Sequence, residues 1–233
     1  MIAREVPEGF VLIAQHDHGL VSGEFARNLS EGVTKGALRG EVLEAIANHD
    51  RAWERPDSEV LWNEEAGRPY SFLDHPPEPK TTAYTSFLDA MESGSRYAGL
   101  LCSAHYGSLV GNSEDPYEKR FAAREKERRG RIRGSIPDEV LDDFERDFAV
   151  LQLCDDLSLF VCLNEPGRNE HPWYKDGLRF LEKRIVPVWW DDEMLAFEPY
   201  PFAEEFTVEV PYRVFGRDRR EREPGAYRVR VVP

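Results

Sequence analysis

The helical spacing of apolar residues that prevails in most of the chain ends near residue 184. Residues 9–14 (GFVLIA) have no helical spacing and predict a short strand or an extended segment. After them, apolar positions recur with the 3.6-residue period of amphipathic helices. This period predicts helices over residues 17–30, 40–53, 81–92, 95–110, 135–163 and 176–184.

Beyond residue 184 the apolar residues are mostly β-branched or aromatic. They lie in short runs separated by turns, namely RIVPVWW, MLAFEPY, FTVEVPYRVF and AYRVRVVP. Such runs predict a small antiparallel sheet. The expected fold class is therefore mainly α. We expect a helical domain over residues 1–184 and a C-terminal β element over residues 185–233, which is either a separate lobe or a cover packed on the helices.

The stretch from Pro56 to Lys80 interrupts the helical pattern and contains many prolines. It is too rich in proline for regular structure and predicts a long ordered loop. Loops of this length are often binding elements, and the side chains that they carry can reach a pocket. The candidate substrate-binding residues in and beside this loop are Trp53, Arg68, Tyr70 and His75. The alternative is a loop packed by its own aromatic side chains.

Charge is distributed unevenly along the chain. The 233 residues include 44 acidic and 30 basic ones, and this net charge of −14 argues against extended contact with nucleic acid or anionic lipid. Small molecules or proteins are the partners that remain, and a homo-oligomer is left open. The run KRFAAREKERRGRIRG (119–134) is strongly basic. It predicts a solvated helix face or a mobile segment, with a phosphate-recruiting patch as the alternative.

Targeting and membrane segments are not evident in the sequence. No segment approaches the roughly 18 to 20 uncharged residues of a membrane span, and the apolar run near the N-terminus is too short for a secretory signal. The expected location is the cytoplasm. Cys102, Cys154 and Cys162 all lie in apolar helical runs, so we expect reduced core thiols rather than disulfides.

Metal-binding residue types lie on apolar helical stripes in four short segments, QHDHG (15–19), NHD (48–50), SAH (103–105) and CDDLS (154–158). Burying such groups singly is costly, so several of them on core-facing positions suggest one shared divalent cation. The candidate ligands are His16, His18, His49, Asp50, His105 and Asp155. Imidazole and carboxylate donors suit Mn, Fe, Ni, Co or Zn rather than the all-oxygen sites of Ca or Mg. We expect one ion rather than two.

The position of each residue on its predicted helix indicates which candidates face the core. His16 and His18 compete to be the first ligand, and His18 has the better register. Asp155 occupies a position where an apolar residue would be expected, whereas Asp156 is rotated by about 100°. Asp50 and Asp156 are the candidate catalytic residues. Asp17, Gln15 or Asp156 could orient an imidazole or accept a proton.

Two further histidines are ranked by their surroundings in the sequence. For His105, on an apolar helical stripe, a ligand role is preferred to that of a core histidine. For His75, in the proline-rich loop, a packing role is preferred to that of a ligand.

The order H, then HD, then D resembles the HD-domain superfamily of metal-dependent phosphohydrolases. The resemblance covers roughly residues 10–165 and implies an HD-like helical core that binds a divalent metal through these residues. One departure is that the glycine usual after HD is missing, because the chain reads HDRAW. The local matches are His18 followed by Val21, Ser22 and Gly23, the run EVLEAIANHD (41–50), and the run LQLCDDLS (151–158) with Asp155 at the metal-binding aspartate.

A closer likeness is carried by the segments QHDHG, NHDRAW, GRPYSF and SAHYGSL. They are similar to segments of a bacterial family of uncharacterised proteins thought to be HD-like, which supplies no activity. His105 falls where binuclear HD proteins place an additional histidine.

The HD resemblance implies a hydrolase that acts on a small phosphoester or nucleotide. Two alternatives remain open, a diiron oxygenase resembling myo-inositol oxygenase and a non-catalytic scaffold that binds a ligand or a protein. Other catalytic motifs do not compete, because the sequence contains no P-loop, dinucleotide fingerprint, CxxC pair or GxSxG elbow.

Overall fold

The computed structural model describes residues 1–31, 33, 36 and 38–233. Its helices are α1 (Gln15–Asn28), α2 (Arg39–Asn48), α3 (Pro77–Gly94), α4 (Arg96–Val110), α5 (Pro116–Arg133), α6 (Asp138–Leu141) and α7 (Phe144–Leu163). Single 3₁₀ turns lie at Arg51–Trp53, Pro56–Ser58 and Pro172–Tyr174. None of the helices in this part of the chain is long and apolar enough to cross a membrane.

The strands form one large sheet and one small pair. They are β1 (Ile2–Val6), β2 (Gly9–Ile13), β3 (Trp62–Asn63), β4 (Arg68–Pro69), β5 (Leu178–Phe180), β6 (Lys183–Trp189), β7 (Met194–Glu198), β8 (Phe206–Gly216) and β9 (Gly225–Val232). Strands β3 and β4 pair with each other. The other seven have the order β1-β2-β8-β9-β7-β6-β5, and their neighbours are antiparallel except for β7 and β9.

The large sheet shows that the expected fold class was wrong. About 47% of the chain is helical and 22% is strand, so the protein has an α/β fold and is not mainly α. The N-terminal hairpin pairs with the C-terminal strands, and Phe10 in β2 is in register with Phe215 in β8. Because this pairing joins opposite ends of the chain, no local pattern in the sequence indicates it.

The predicted helix over residues 176–184 is also wrong. These residues contain β5 and the start of β6, which are joined by a two-residue turn at Leu181 and Glu182. Leu181 has a φ of 53°, in the left-handed region that leucine rarely adopts. Turns of this kind are usually formed by asparagine, aspartate or glycine, so the residue types do not indicate a hairpin.

Helix α7 lies at the centre of the helical layer. The predicted helix over residues 135–163 is divided at residues 142 and 143, so that α6 is short and α7 begins at Phe144. Leu151, Leu157 and Phe160 of α7 are fully buried. The helix packs against α1, α2, α4 and β5. Side chains from three neighbouring helices therefore meet those of α7.

The proline-rich loop contains short pieces of regular structure, although none was expected. Its strands β3 and β4 place Trp62 opposite Pro69. Asp57 anchors the start of the loop, since its carboxylate accepts hydrogen bonds from the Met1 amino group at 2.6 Å and from Gln15 N at 2.8 Å. Helix α3 then begins at Pro77, earlier than predicted, because proline is well suited to the first turn of a helix.

The basic run forms most of α5. Asp115 caps this helix by accepting a hydrogen bond from Tyr117 N at 2.8 Å. Arg128, on the buried face, pairs with Glu125 at 2.9 Å and with Glu92 at 2.5 Å. The run is therefore a helix with one buried face, on which acidic groups compensate a central arginine.

Candidate metal centre

Two glycines in α1 allow this helix to lie directly against α2. A Cβ atom on Gly23 would lie 2.8 Å from Ala47 Cβ, and one on Gly19 would lie 3.1 Å from Ala47 O. Non-bonded carbon atoms normally pack about 3.5 to 4.0 Å apart. The glycines therefore permit the close approach that brings His18 of α1 beside His49 at the end of α2, with 5.2 Å between ring centroids.

The ring of His18 is fixed by Ser158 of α7. The Ser158 hydroxyl donates to the His18 carbonyl oxygen at 2.8 Å and lies 2.6 Å from His18 Nδ1. A hydroxyl has one proton to donate, so it accepts from the ring, and Nδ1 carries the hydrogen. His18 Nε2 is therefore the nitrogen that can bind a metal ion or take up a second proton.

The backbone of α2 fixes His49 in the same tautomer. His49 is fully buried, and its Nδ1 lies 2.7 Å from the carbonyl oxygen of Ile46. A carbonyl oxygen only accepts, so Nδ1 donates and Nε2 is left as the ligand nitrogen. Donation from the second ring nitrogen to a carbonyl is a common way to orient a metal-binding histidine.

The two Nε2 atoms face the same carboxylate oxygen. Asp155 Oδ1, from the middle of α7, lies 2.9 Å from His18 Nε2 and 3.3 Å from His49 Nε2. Two neutral rings would direct lone pairs at a negatively charged oxygen, which is repulsive. The arrangement therefore requires positive charge among the three groups, which a proton or a metal cation can supply.

The pKa values of these groups show the same need for positive charge. Burial lowers the pKa of His49, but the carboxylates of Asp50 and Asp155 outweigh burial and raise the pKa to about 9. Burial raises the pKa of Asp155, but the hydrogen bonds with His18 and His49 hold it well below the ordinary value. The negative charge of Asp155 is thus stabilised by the two imidazoles.

Asp50 adds a second carboxylate beside the two imidazoles. Its Oδ2 lies 3.7 Å from His18 Nε2 and 3.8 Å from His49 Nε2. The same oxygen accepts a hydrogen bond from Gln15 Nε2 at 2.8 Å, which orients the carboxylate. Burial raises the pKa of Asp50, and the neighbouring His49 and His18 oppose this rise.

His105 of α4 adds a third imidazole. Its Nε2 lies 3.9 Å from Asp155 Oδ2, and its ring centroid lies 5.0 Å from that of His49. Burial lowers the pKa of His105 to about 4, so its ring is neutral at neutral pH. The buried Nδ1 has no hydrogen-bond partner among the residues that the structure describes.

These side chains form two overlapping groups whose ligand atoms lie within 4.8 Å of one another, His18–His49–Asp155 and His49–Asp50–His105. Ligand atoms bonded to one ion at about 2.1 Å lie about 3 Å or more apart. The separations from 2.9 Å to 3.9 Å found here are of that size. Because His49 Nε2 can bind only one ion, the two groups describe one centre. We call His18, His49, Asp50, His105 and Asp155 the five-residue centre.

His16 lies outside the five-residue centre. Its Nε2 is 3.4 Å from Glu54 Oε1, and it belongs to neither group of ligand atoms. Residues two apart on a helix project in roughly opposite directions, so His16 and His18 cannot both face α7. The structure brings His18 to the other candidate ligands and leaves His16 at the edge.

Asp156 is next to the centre but belongs to neither group of ligand atoms. Its carboxyl is partly exposed and has no ion pair in the described part of the chain. Burial, and to a smaller extent the charge of Asp155, raises the pKa of Asp156 to about 7.

The four candidate substrate-binding residues pack mainly with the loop and its surroundings. Trp53 is only 1% exposed, and its ring contacts that of His75 with 5.2 Å between centroids. Tyr70 contacts His75 at 6.4 Å, and Arg68 pairs with Asp74 at 2.7 Å. These contacts favour the alternative of a loop packed by its own side chains. His75 also lines a surface cavity of about 780 Å³ between the first 3₁₀ turns and α3.

Two residues beside the centre were missed by the sequence reasoning. Ser158 follows Asp155 by three positions on α7, and this spacing on one helix face is a signal that could have found it. Tyr174 lies in the 3₁₀ turn after α7, where no motif marks it.

The three cysteines are not part of the centre. All are buried and none forms a disulfide, as expected. Burial raises the pKa of each thiol, to about 12 for Cys162, so they are neutral core thiols.

A family model described as "Protein of unknown function (DUF3891)" matches residues 1–216. The chain belongs to this family. The match includes all the helices that form the five-residue centre and most of the large sheet. No curated protein and no solved structure matches the chain. The description of the DUF3891 family names no activity, and membership of the HD-domain superfamily stays a prediction.

Proposed function

We propose that this protein is a metal-dependent hydrolase of a small phosphoester or nucleotide. The observation that supports the proposal is the orientation of His18 and His49. Each Nδ1 donates to a protein oxygen, and both Nε2 atoms face Asp155. A buried group of acceptors of this kind is stabilised by a bound cation.

The residues that would hold the ion are those of the five-residue centre, His18, His49, Asp50, His105 and Asp155. Three imidazoles with two carboxylates suit a divalent transition metal such as Mn, Fe, Ni, Co or Zn. When bound, such an ion supplies a coordinated water with a pKa of about 7 and withdraws electron density from a phosphoryl oxygen.

The chain's own residues would orient the ligands and move the protons. Ser158 and the Ile46 carbonyl hold the two imidazoles, and Gln15 holds Asp50. Asp156 is the carboxyl beside the centre without an ion pair in the described residues, so we assign proton transfer to it. It would accept a proton from the attacking water and return one to the leaving oxygen.

A diiron oxygenase is less well supported than a hydrolase. That chemistry needs two irons, each with its own ligands. His49 is shared by both groups of ligand atoms, and His16 pairs with Glu54 instead of completing a second set. A centre for one ion therefore fits the described residues better.

Metal analysis and a substrate panel test the proposal. The purified protein is assayed for bound metal and then for hydrolysis of nucleotides and phosphoesters, with and without added Mn²⁺ or Co²⁺. Asp155→Asn, which keeps the side-chain size, is compared with Glu145→Gln, which removes a charge from an 84% exposed side chain of the same helix. We expect Asp155→Asn alone to lose metal and turnover.

Each of the other functions has its own outcome. Two iron atoms per chain together with oxygen consumption would establish the oxygenase instead. A folded wild-type protein that binds metal but hydrolyses no compound in the panel would indicate a non-catalytic scaffold. Protein without metal or turnover under all conditions would reject the proposal.

The proposed substrate is a small molecule in the cytoplasm. The net charge of −14 opposes binding to nucleic acid or to an anionic lipid surface. The arginines of α5 that were considered as a phosphate-recruiting patch include Arg128, which is already paired with acidic groups. The phosphoryl group would therefore be bound at the metal centre.

A further inference from the structure

The segment that follows α7 folds back onto this helix and is fixed by Asn164. The Asn164 side chain is 2% exposed, and its Oδ1 accepts hydrogen bonds from Glu170 N at 2.9 Å and His171 N at 2.8 Å. Its Nδ2 donates to Phe160 O at 2.9 Å. The segment is therefore a defined part of the fold, and it ends in the 3₁₀ turn that carries Tyr174.

Tyr174 covers the face of α7 that carries Asp156. Its ring packs edge-to-face on Phe160, with 5.4 Å between centroids and 85° between ring planes. Phe160 follows Asp156 by four residues, and side chains at this spacing lie on one helix face. The phenol therefore packs on the helix face that Phe160 shares with Asp156, and the charges of Asp156 and Asp155 act on it.

The hydroxyl of Tyr174 is a buried hydrogen-bond donor. The residue is 2% exposed, and its hydroxyl oxygen makes no hydrogen bond within the described residues. Buried hydroxyls nearly always have a partner, so this one is expected to meet a ligand or a water. Burial raises the pKa of Tyr174, and the nearby charges of Asp156 and Asp155 raise it further. The phenol therefore remains a proton donor.

We propose that Tyr174 is a substrate-binding residue of the metal centre, whose hydroxyl donates a hydrogen bond to a phosphoryl oxygen of the substrate. This inference rests on the proposed hydrolase function. It assigns a residue from outside the helical motifs to the site. If Tyr174 were only structural, its ring would stabilise the fold by packing on Phe160. Loss of the hydroxyl would then leave the affinity for a ligand unchanged.

Binding of orthophosphate to the Mn²⁺-loaded protein tests this role. Tyr174→Phe keeps the ring and removes the hydroxyl. We expect the affinity for orthophosphate, measured by calorimetry, to fall about 10- to 100-fold, since a hydrogen bond to a charged group is lost. The Mn²⁺ content and the melting temperature should stay as in the wild type, because the hydroxyl makes no hydrogen bond within the described residues.

The matched control is Tyr200→Phe, which removes an exposed hydroxyl that donates to Glu204 O at 2.8 Å. Its affinity for orthophosphate should equal that of the wild type. A second measurement on the wild type is the tyrosine ultraviolet difference spectrum on addition of orthophosphate. We expect a signal that Tyr200→Phe retains and Tyr174→Phe lacks, and this measurement remains informative if one variant folds poorly.

The outcomes separate this inference from the proposed function. If the wild type binds orthophosphate and Tyr174→Phe binds it equally well, the role of Tyr174 is refuted and the hydrolase proposal is unaffected. If the wild type holds Mn²⁺ but has no affinity for orthophosphate, the role of Tyr174 is refuted, and the substrate panel alone decides the hydrolase proposal. A selective loss in Tyr174→Phe supports both.

Discussion

Ser158 contacts His18 twice, because its hydroxyl donates to the His18 carbonyl oxygen at 2.8 Å and lies 2.6 Å from the ring nitrogen Nδ1. One hydroxyl thereby links α7 to both the backbone and the side chain of α1. It also determines which ring nitrogen is available, since the proton on Nδ1 leaves Nε2 facing Asp155. The tautomer of the first ligand thus depends on a residue that does not belong to the centre.

Replacement of this serine tests that dependence. Ser158→Ala should lower metal affinity about 10- to 100-fold, as expected when the group that orients a metal-binding histidine is lost. It should also lower the free energy of unfolding by about 1 to 3 kcal/mol, because a buried Nδ1–H loses its acceptor. Metal titration and urea unfolding measure the two effects.

Ser103→Ala is the control, because Ser103 is also fully buried and its hydroxyl lies 3.5 Å from Glu125 O. We expect this variant to change stability without changing metal affinity. Equal metal affinities for Ser158→Ala and the wild type would contradict the role of Ser158.

Metal binding should displace a proton from the centre. Without metal, the pKa of His49 is raised to about 9 by the carboxylates of Asp50 and Asp155 despite burial, so the ring is protonated at neutral pH. A metal ion must replace this proton, and binding should release about one proton per ion. Calorimetry at pH 7.5 in two buffers of different ionisation enthalpy measures the release, which should be absent if the ring is neutral before binding.

The same protonation gives the stability of the metal-free protein a defined pH dependence. A pKa that folding raises contributes stability in full below the unfolded value of about 6.5, and this contribution is lost as the pH rises through the folded value. The chelator-treated protein should therefore lose stability between pH 6.5 and about 9. The metal-loaded protein should not show this loss. If urea unfolding gives both forms the same dependence of the free energy of unfolding on pH, the prediction is contradicted.

Gly23 controls how closely α1 approaches α2. Gly23→Ala would place a Cβ atom 2.8 Å from Ala47 Cβ, so the helices must separate. We expect the free energy of unfolding to fall by about 1 to 3 kcal/mol, because overpacking outweighs the better helix propensity of alanine. Metal affinity should fall as well, since His18 moves with α1.

Gly130→Ala is the control for this substitution. Gly130 lies in α5, and an added Cβ would meet no atom within 4 Å. The free energy of unfolding of this variant should rise by about 0.5 to 1 kcal/mol, because alanine has less backbone freedom than glycine to lose on folding. If Gly23→Ala is more stable than the wild type, the contact between α1 and α2 does not require glycine at this position.

The sequence predicted the proximity of the candidate ligands better than it predicted the fold. His18 and Asp155 lie on α1 and α7, where the helical register directs them to one interior region. Asp50 lies two residues beyond the end of α2, so its position depends also on the turn that follows this helix. The segment that forms β2 was predicted as a short strand or an extended segment, but its place in the sheet was not, because β2 and β8 pair across nearly the whole chain. Such a pairing depends on tertiary packing and leaves no periodic signal.

Two kinds of residue could not be recognised from the local pattern. Leu178 and Ile185 have a spacing that fits a helix as well as two strands, and the turn between them contains Leu181 in a conformation usually left to glycine. Tyr174 belongs to a segment whose position is set by Asn164, and no periodic pattern extends to it.

Paired histidine variants decide which imidazoles bind the ion. His105 Nε2 lies 3.9 Å from Asp155 Oδ2, whereas His16 Nε2 lies 3.4 Å from Glu54 Oε1 at the edge of the fold. We expect His105→Ala to lose at least as much metal affinity as Ser158→Ala, because a ligand is removed rather than its support. His16→Ala should keep the wild-type metal content, measured by mass spectrometry after desalting. If His16→Ala loses the metal and His105→Ala retains it, α1 binds the ion through His16, and the five-residue centre does not contain the correct ligands.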